Sequence, residues 1–174
     1  LLEALARLKA QGVAVGLSLS GPRQGETLAR ALEVTVDGRR LFDTVQATWN
    51  LLEPSAGPAL AAARAEGVGV IVKEALANGR LTARNREPGF GAAREVLEAQ
   101  GARLGATLDA LALAAALAQP WADVVLSGAA DTRQLASNLA ALDVAWDPEA
   151  AAATAPLAEP PAAYWDTRGA LPWN

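Results

Sequence analysis

The chain contains no cysteine, no histidine and no methionine. Without cysteine there is neither a disulfide framework nor a thiolate metal site. Without histidine the commonest general base and the commonest metal ligand are both missing, so no metal site is expected. A natural reading frame opens on methionine, whereas this one opens on "LLEALARLKAQG", inside an amphipathic helical pattern; the chain reads as a fragment or an N-terminally truncated piece. The apolar run "LALAAALA" at 111–118 is far too short to span a bilayer, and no basic-then-apolar leader opens the sequence. A cytoplasmic protein without a membrane partner is the default. A net charge of −4, with acidic and basic residues interspersed, argues against a nucleic-acid surface.

What is present is a soluble globular composition, 52% hydrophobic and 20% charged, in a length that suits one domain. Short apolar runs alternate with helical patterns. "VAVGLSLS" at 13–20 reads as a strand and "ETLARALEV" at 26–34 as the helix after it. A second strand lies around Asp43–Ala47, followed by a helix that Pro58 opens and Gly67 closes. "VGVIVK" at 68–73 is apolar on both faces, as in a parallel strand covered on both sides. Helices follow at about 92–103 and 107–118, then a strand at 123–127 and a helix at about 132–142. The Pro- and Ala-rich segment 147–174 reads as an irregular tail.

Four strand-then-helix units predict an α/β fold with parallel strands, half of a (β/α)8 barrel, over residues 1–146, with 147–174 as a tail over its mouth. No "GxGxxG" follows the first strand and no "GxxxxGK" occurs, which disfavours an open nucleotide-binding sheet. Ligands of parallel α/β folds sit beyond the C-terminal strand ends. Here those ends carry Ser18 and Ser20; Gln46, Trp49 and Asn50; Lys73 and Glu74; Ser127 and Gly128. A serine there also serves as a plain helix cap, and a glutamine as a partner for neighbouring backbone. In the last unit, small residues at Ser127-Gly128-Ala129 leave backbone N–H groups open to an anion at a helix start. Gln134 and Asn138 share one face of that helix, distinct from the Leu135/Leu139/Leu142 face expected to pack inward. Their amides suit the edge of an adenine or a ribose. Capping by Asp131, with Gln134 reaching back, accounts for Gln134 equally well but not for Asn138.

"VGLSLSG", "FDTVQATWNLLEP", "GVGVIVKEALANGRL", "LDALALAAALAQP" and "VVLSGAADTRQLASNLAAL" follow in the order and spacing of the C-terminal half of the aldo-keto reductases, and the whole chain resembles that family. The resemblance implies strands five to eight of a TIM barrel that binds NADP(H) or NAD(H) without a Rossmann fold. It implies that Ser18 and Gln46 contact the nicotinamide carboxamide. Leu19 stands where the family has an asparagine, and Lys73 stands where an aromatic ring often stacks on the nicotinamide. The segment from Glu74 to Leu81, with Leu76, Asn78 and Gly79, resembles the one that folds over the pyrophosphate. Gly128, Ala129, Gln134 and Asn138 match the adenosine end. Arg133 is the cation nearest the place of an NADP 2′-phosphate, and favours NADP over NAD.

The family's catalytic Asp, Tyr, Lys and His belong to the N-terminal half, so no catalytic residue is expected in this chain. Tyr164, Trp165 and Trp49 are expected to shape a substrate pocket or to pack as core aromatics. The implied parent is an oxidoreductase interconverting carbonyls and alcohols, or sugars and lactones, with a small carbonyl or sugar substrate and the missing barrel half as partners. Two rivals stand beside it. One is a non-catalytic, cofactor-sensing relative. The other is a Schiff-base aldolase using Lys73, against which Glu74 offers itself as a simpler partner for that lysine. The outer strands of a half-barrel would expose unpaired edges, which predicts dimerisation or poor solubility.

Overall fold

The computed structural model describes residues 1–171; the last three residues of the tail lie outside it. Its centre is a four-stranded parallel sheet in the order β1 (Gly16–Ser18), β4 (Thr44–Thr48), β5 (Gly69–Lys73), β6 (Val124–Val125). Helix α1 (Leu2–Ala10) precedes β1, and α2 (Gln24–Leu32) and α3 (Gly57–Ala65) make the crossovers to β4 and β5. Two helices, α4 (Gly91–Leu104) and α5 (Leu108–Leu117), separate β5 from β6, and α6 (Thr132–Leu139) follows β6. The strand and helix order is the one the alternation predicts. The outer strands are shorter than expected, three residues for β1 and two for β6.

One element is unannounced. β2 (Thr35–Val36) and β3 (Arg39–Arg40) form a small antiparallel hairpin through Asp37 and Gly38, both at positive φ. An Asp-Gly pair is the usual occupant of such a turn, because glycine carries no Cβ penalty there.

Period-two alternation divides the central strands into faces. Val45, Ala47, Val70 and Val72 are fully buried beneath the helices. Gln46, Ile71 and Lys73 point to the other face and are only half-buried, which corrects the expectation of β5 covered on both sides. Four strands do not fill the concave face. Helix α5 closes the core from outside, with every residue from Ala110 to Ala116 buried. It lies close to α4 because Gly101 has no side chain: a Cβ there would stand 2.7 Å from the Ala106 carbonyl oxygen. At the opposite strand ends, Asp43 ties down Lys9 at 2.5 Å and accepts the Val15 N–H, while Asp123 does the same for Arg64 and the Val70 N–H.

The tail is not irregular. It forms α7 (Pro148–Thr154) and α8 (Pro161–Ala170). Asp147 accepts the Ala150 N–H as N-cap and Pro148 occupies the first turn, a start signal that its Pro- and Ala-rich surroundings obscured. Arg103 of α4 reaches Asp147 with two hydrogen bonds of 2.8 Å and anchors this start. No helix among the described residues is long and apolar enough to cross a membrane.

The largest departure concerns α6. Its Leu135, Leu139 and Leu142 side, expected inward, is 45–69% exposed, whereas Asn138 is buried. The helix lies at the end of the sheet beyond β6. Its inner side meets α5 through polar contacts, Ser137 Oγ donating to Asp109 at 2.6 Å, and the leucines lie on the more exposed side.

Candidate functional site

Parallel register brings the strand tips together. Ser18 lies opposite Gln46 and Thr48 opposite Lys73. Ser18 Oγ donates to Gln46 Oε1 at 3.3 Å, and Lys73 Nζ donates to Ser20 Oγ at 2.8 Å and Ser18 Oγ at 3.3 Å. Residues from three strands thus form one polar cluster on the concave face. Lys73 also borders a cavity of about 810 Å³ with Glu74, Leu76, Gly79, Gly128, Gln134 and Asn138, all singled out from the sequence. Asn78, Arg84, Asp109, Asp131 and Arg133 share the lining, and Ala129 does not. The volume falls in the usual range for small-molecule sites.

The wall that follows β5 is a tightly wound loop. Glu74, Ala77 and Asn78 adopt positive φ, with Gly79 after them. Such conformations cost about 1 kcal/mol or more each at non-glycine residues and persist only where surroundings hold them. Glu74 is held firmly: one carboxylate oxygen meets Arg168 of α8 at 2.7 Å, and the other accepts from Thr48 and Asn78. The expected pairing of Glu74 with Lys73 is therefore overturned, because the left-handed backbone at Glu74 sends its carboxylate toward the tail. Lys73 keeps hydroxyl partners only, and its ammonium is shifted below the ordinary lysine range, chiefly by burial; Glu74 opposes that shift and Arg168 adds to it.

The opposite wall is the turn into α6. Asp131 caps the helix by accepting the Gln134 N–H at 2.8 Å. Gln134 Oε1 accepts the Ala130 N–H at 2.8 Å, and Ser127 Oγ accepts the Ala129 N–H at 3.3 Å. Asp131 caps the helix as read, while Gln134 reaches one residue past it to Ala130; of the N–H groups expected to lie open to an anion, that of Ala129 is taken by Ser127. Asn138 donates to the Ser127 carbonyl at 2.8 Å, which fixes the turn against the helix. Arg133 is 92% exposed at its side chain and lies 3.7 Å from Asp131.

Of the two readings of the aromatics, the structure shows their packing. Trp49 lies edge-on to Trp121 at 5.8 Å between centroids and is buried. Tyr164 is wholly buried, stands edge-on to Trp165 at 5.6 Å and shares a 2.9 Å hydrogen bond with the Asn50 amide. Burial pushes its hydroxyl up to about 12, against the Asn50 hydrogen bond. None of the three borders the 810 Å³ cavity.

Sequence reasoning named Asn50 only as a strand-end residue and missed its tying role, and it missed Gln24 and Arg80 altogether. Asn50 donates to the Glu74 carbonyl and to Tyr164 and accepts the Leu52 and Glu53 N–H groups, so one amide joins β4, the following loop and α8. Gln24 exchanges two hydrogen bonds with the Thr48 backbone. Arg80 grips Glu159 at 2.6 and 3.0 Å and lies against the Phe90 and Tyr164 rings. Apart from Leu52, Glu53 and Phe90, these partners are 24 or more positions away, beyond the reach of local pattern.

Comparison with known proteins agrees with this architecture. The chain superposes on the aldo-keto reductase AKR11C1 from Bacillus halodurans, in its holo form with a TM-score of 0.70 at 21% identity and in its apo form with 0.71 at 22%. It also superposes on the thermostable aldo-keto reductase Tm1743, solved with the inhibitor epalrestat, with a TM-score of 0.66 at 21% identity. These alignments cover 90–91% of this chain and 53–56% of those chains, so the protein spans about half the length of the structures it matches and has the fold of part of their barrel. No curated protein matches it. The family model "Aldo/keto reductase family" matches residues 1–158, and the chain belongs to that family.

Proposed function

We propose that this chain is the C-terminal half, strands five to eight, of an aldo-keto reductase barrel and supplies its NAD(P)(H)-binding surface. The carrying observation is the convergence of Lys73, Gly79, Gly128, Gln134 and Asn138 on one cavity at the strand ends, with Lys73 tied to Ser18 and Ser18 to Gln46 beside it. The residues suit a dinucleotide: amides and hydroxyls for a carboxamide and a ribose, small residues for close approach, and arginine for phosphate. Bound there, the cofactor supplies hydride. The chain's own residues bind and orient it, with Ser18 and Gln46 at the carboxamide, the loop from Glu74 to Gly79 at the pyrophosphate, and Asn138 at the adenosine end. Arg133 and Arg84 are the cations available to a 2′-phosphate, and Asp131 competes for the first, so NADP(H) and NAD(H) both remain within reach of the site.

The chain alone holds no acid for carbonyl reduction. It has no histidine, and Tyr164 is sealed from solvent with its hydroxyl raised to about 12, far above a working range near neutral pH. The tyrosine, lysine and histidine of the reaction come, in this reading, from the other barrel half, its partner; the substrate is a small carbonyl or sugar.

Titration of the purified chain with NADH and NADPH, followed by quenching of its five tryptophans, is expected to give saturable binding that Asn138→Ala weakens several-fold. No carbonyl-dependent oxidation of NADPH is expected. Absence of binding to either cofactor ends the reading, and steady turnover by the chain alone ends its assignment of the chemistry to another half.

A further inference from the structure

The chain has only two lysines among its 15 cationic residues, and they are built into opposite settings. Lys9 lies 2.5 Å from the Asp43 carboxylate and also donates to the Leu41 carbonyl, at the N-terminal ends of the strands. Lys73 borders the cavity at the C-terminal ends, and its hydrogen bonds run to two neutral hydroxyls, Ser20 at 2.8 Å and Ser18 at 3.3 Å. The neighbouring carboxylate, Glu74, is turned away into its 2.7 Å pair with Arg168. Apart from Lys9, the cations of this chain's ion pairs are arginines. A primary amine facing a cavity, with hydroxyls rather than a carboxylate around it, offers something arginine cannot: a nitrogen that loses its proton and attacks carbon.

We propose that Lys73 is an imine-forming amine that captures small aldehydes or ketones entering the cavity. The neutral amine adds to the carbonyl carbon; the C–N bond forms as the C=O π bond breaks, and the proton released by nitrogen passes to the new alkoxide through the Ser20 hydroxyl. The carbinolamine then loses its hydroxyl as water with one added proton, leaving an iminium at Lys73. No electrons change hands, and water reverses the step. Burial, which disfavours the ammonium, increases the share of neutral amine near neutral pH. The inference concerns the cavity free of cofactor and does not rest on the proposed function.

The test uses the whole chain with glycolaldehyde and sodium borohydride, read by intact mass and peptide mapping. Lys73 is expected to be trapped several-fold faster than Lys9, whose ammonium is held in its ion pair with Asp43. Lys73→Arg should abolish the adduct at that position. Ser20→Ala, which leaves the lysine in place, should slow trapping several-fold while circular dichroism stays unchanged. Labelling of Lys73 no faster than Lys9 or the N-terminal amine overturns the proposal, as does unaltered trapping in Ser20→Ala, which would leave the hydroxyls as mere ties between strands.

Discussion

The middle of the sheet and its two flanks are built to different standards. Around β4 and β5, buried polar side chains are joined to distant partners: Gln24 to Thr48, Asn50 to Tyr164, Arg80 to Glu159, Glu74 to Arg168. The flanks carry all the exposed large hydrophobic residues of the described chain. Leu1, Leu2, Leu8 and Val13 lie on or beside α1, and Leu117, Val124, Leu126, Leu135, Leu139 and Leu142 lie around β6 and α6. An apolar surface gathered along both open edges of a parallel sheet is a place for something to dock. The contrast supports the proposal that another four-stranded half, or failing that a second copy, covers these edges. The cavity spans the two regions, with one wall in the sealed middle and the other in the open flank.

The comparison is broken most directly at Tyr164. Tyr164→Ala removes a fully buried ring and leaves the Asn50 amide short of a partner, and is expected to cost about 3–5 kcal/mol in urea unfolding. A loss below about 1 kcal/mol would mean that the middle is no better built than the flanks. A smaller effect on stability is expected from Leu135→Lys with Leu139→Lys, within about 0.5 kcal/mol per site because both side chains already face solvent. The same pair should shift size-exclusion elution toward the monomer across a concentration series, and unchanged elution would show that α6 is not part of a docking face. The smallest effect concerns pH. The Asp147 carboxylate is held down to about 2, first by the Arg103 hydrogen bond and then by its capping role. A folded value below the unfolded one stabilises above about pH 4, and that contribution fades as pH falls toward about 2. Asp147→Asn, which keeps a capping side chain, should flatten this part of the stability profile, and added salt should shrink the difference.

Much of this was legible in advance, and the misses share a cause. The alternation of strands and helices follows from local periodicity, and the strand-tip residues follow from the rule that parallel strands end at a ligand face. Glu74 was misjudged because adjacency in sequence suggested a Lys73 partner, whereas a left-handed backbone turned it toward a residue 94 positions away. The leucines of α6 were placed inward because amphipathicity gives a helix two faces without saying which one finds a neighbour. The tail was read as loop because proline and alanine are common in linkers, although Asp147-Pro148 is also a good helix start. The Asp37-Gly38 turn was there to be found, and its two-residue strands were too short to register as pattern.

The sequence alone determined the order of elements, the membership of the core strands and the polar character of their tips, because these depend on residue type and spacing within about ten positions. The tertiary structure alone decided which side chains pair across the sheet, which face of the last helix is covered, and that Lys73 answers to hydroxyls while Glu74 answers to the tail. Those outcomes depend on which segments meet in space, and meeting is settled by packing between residues that lie far apart along the chain.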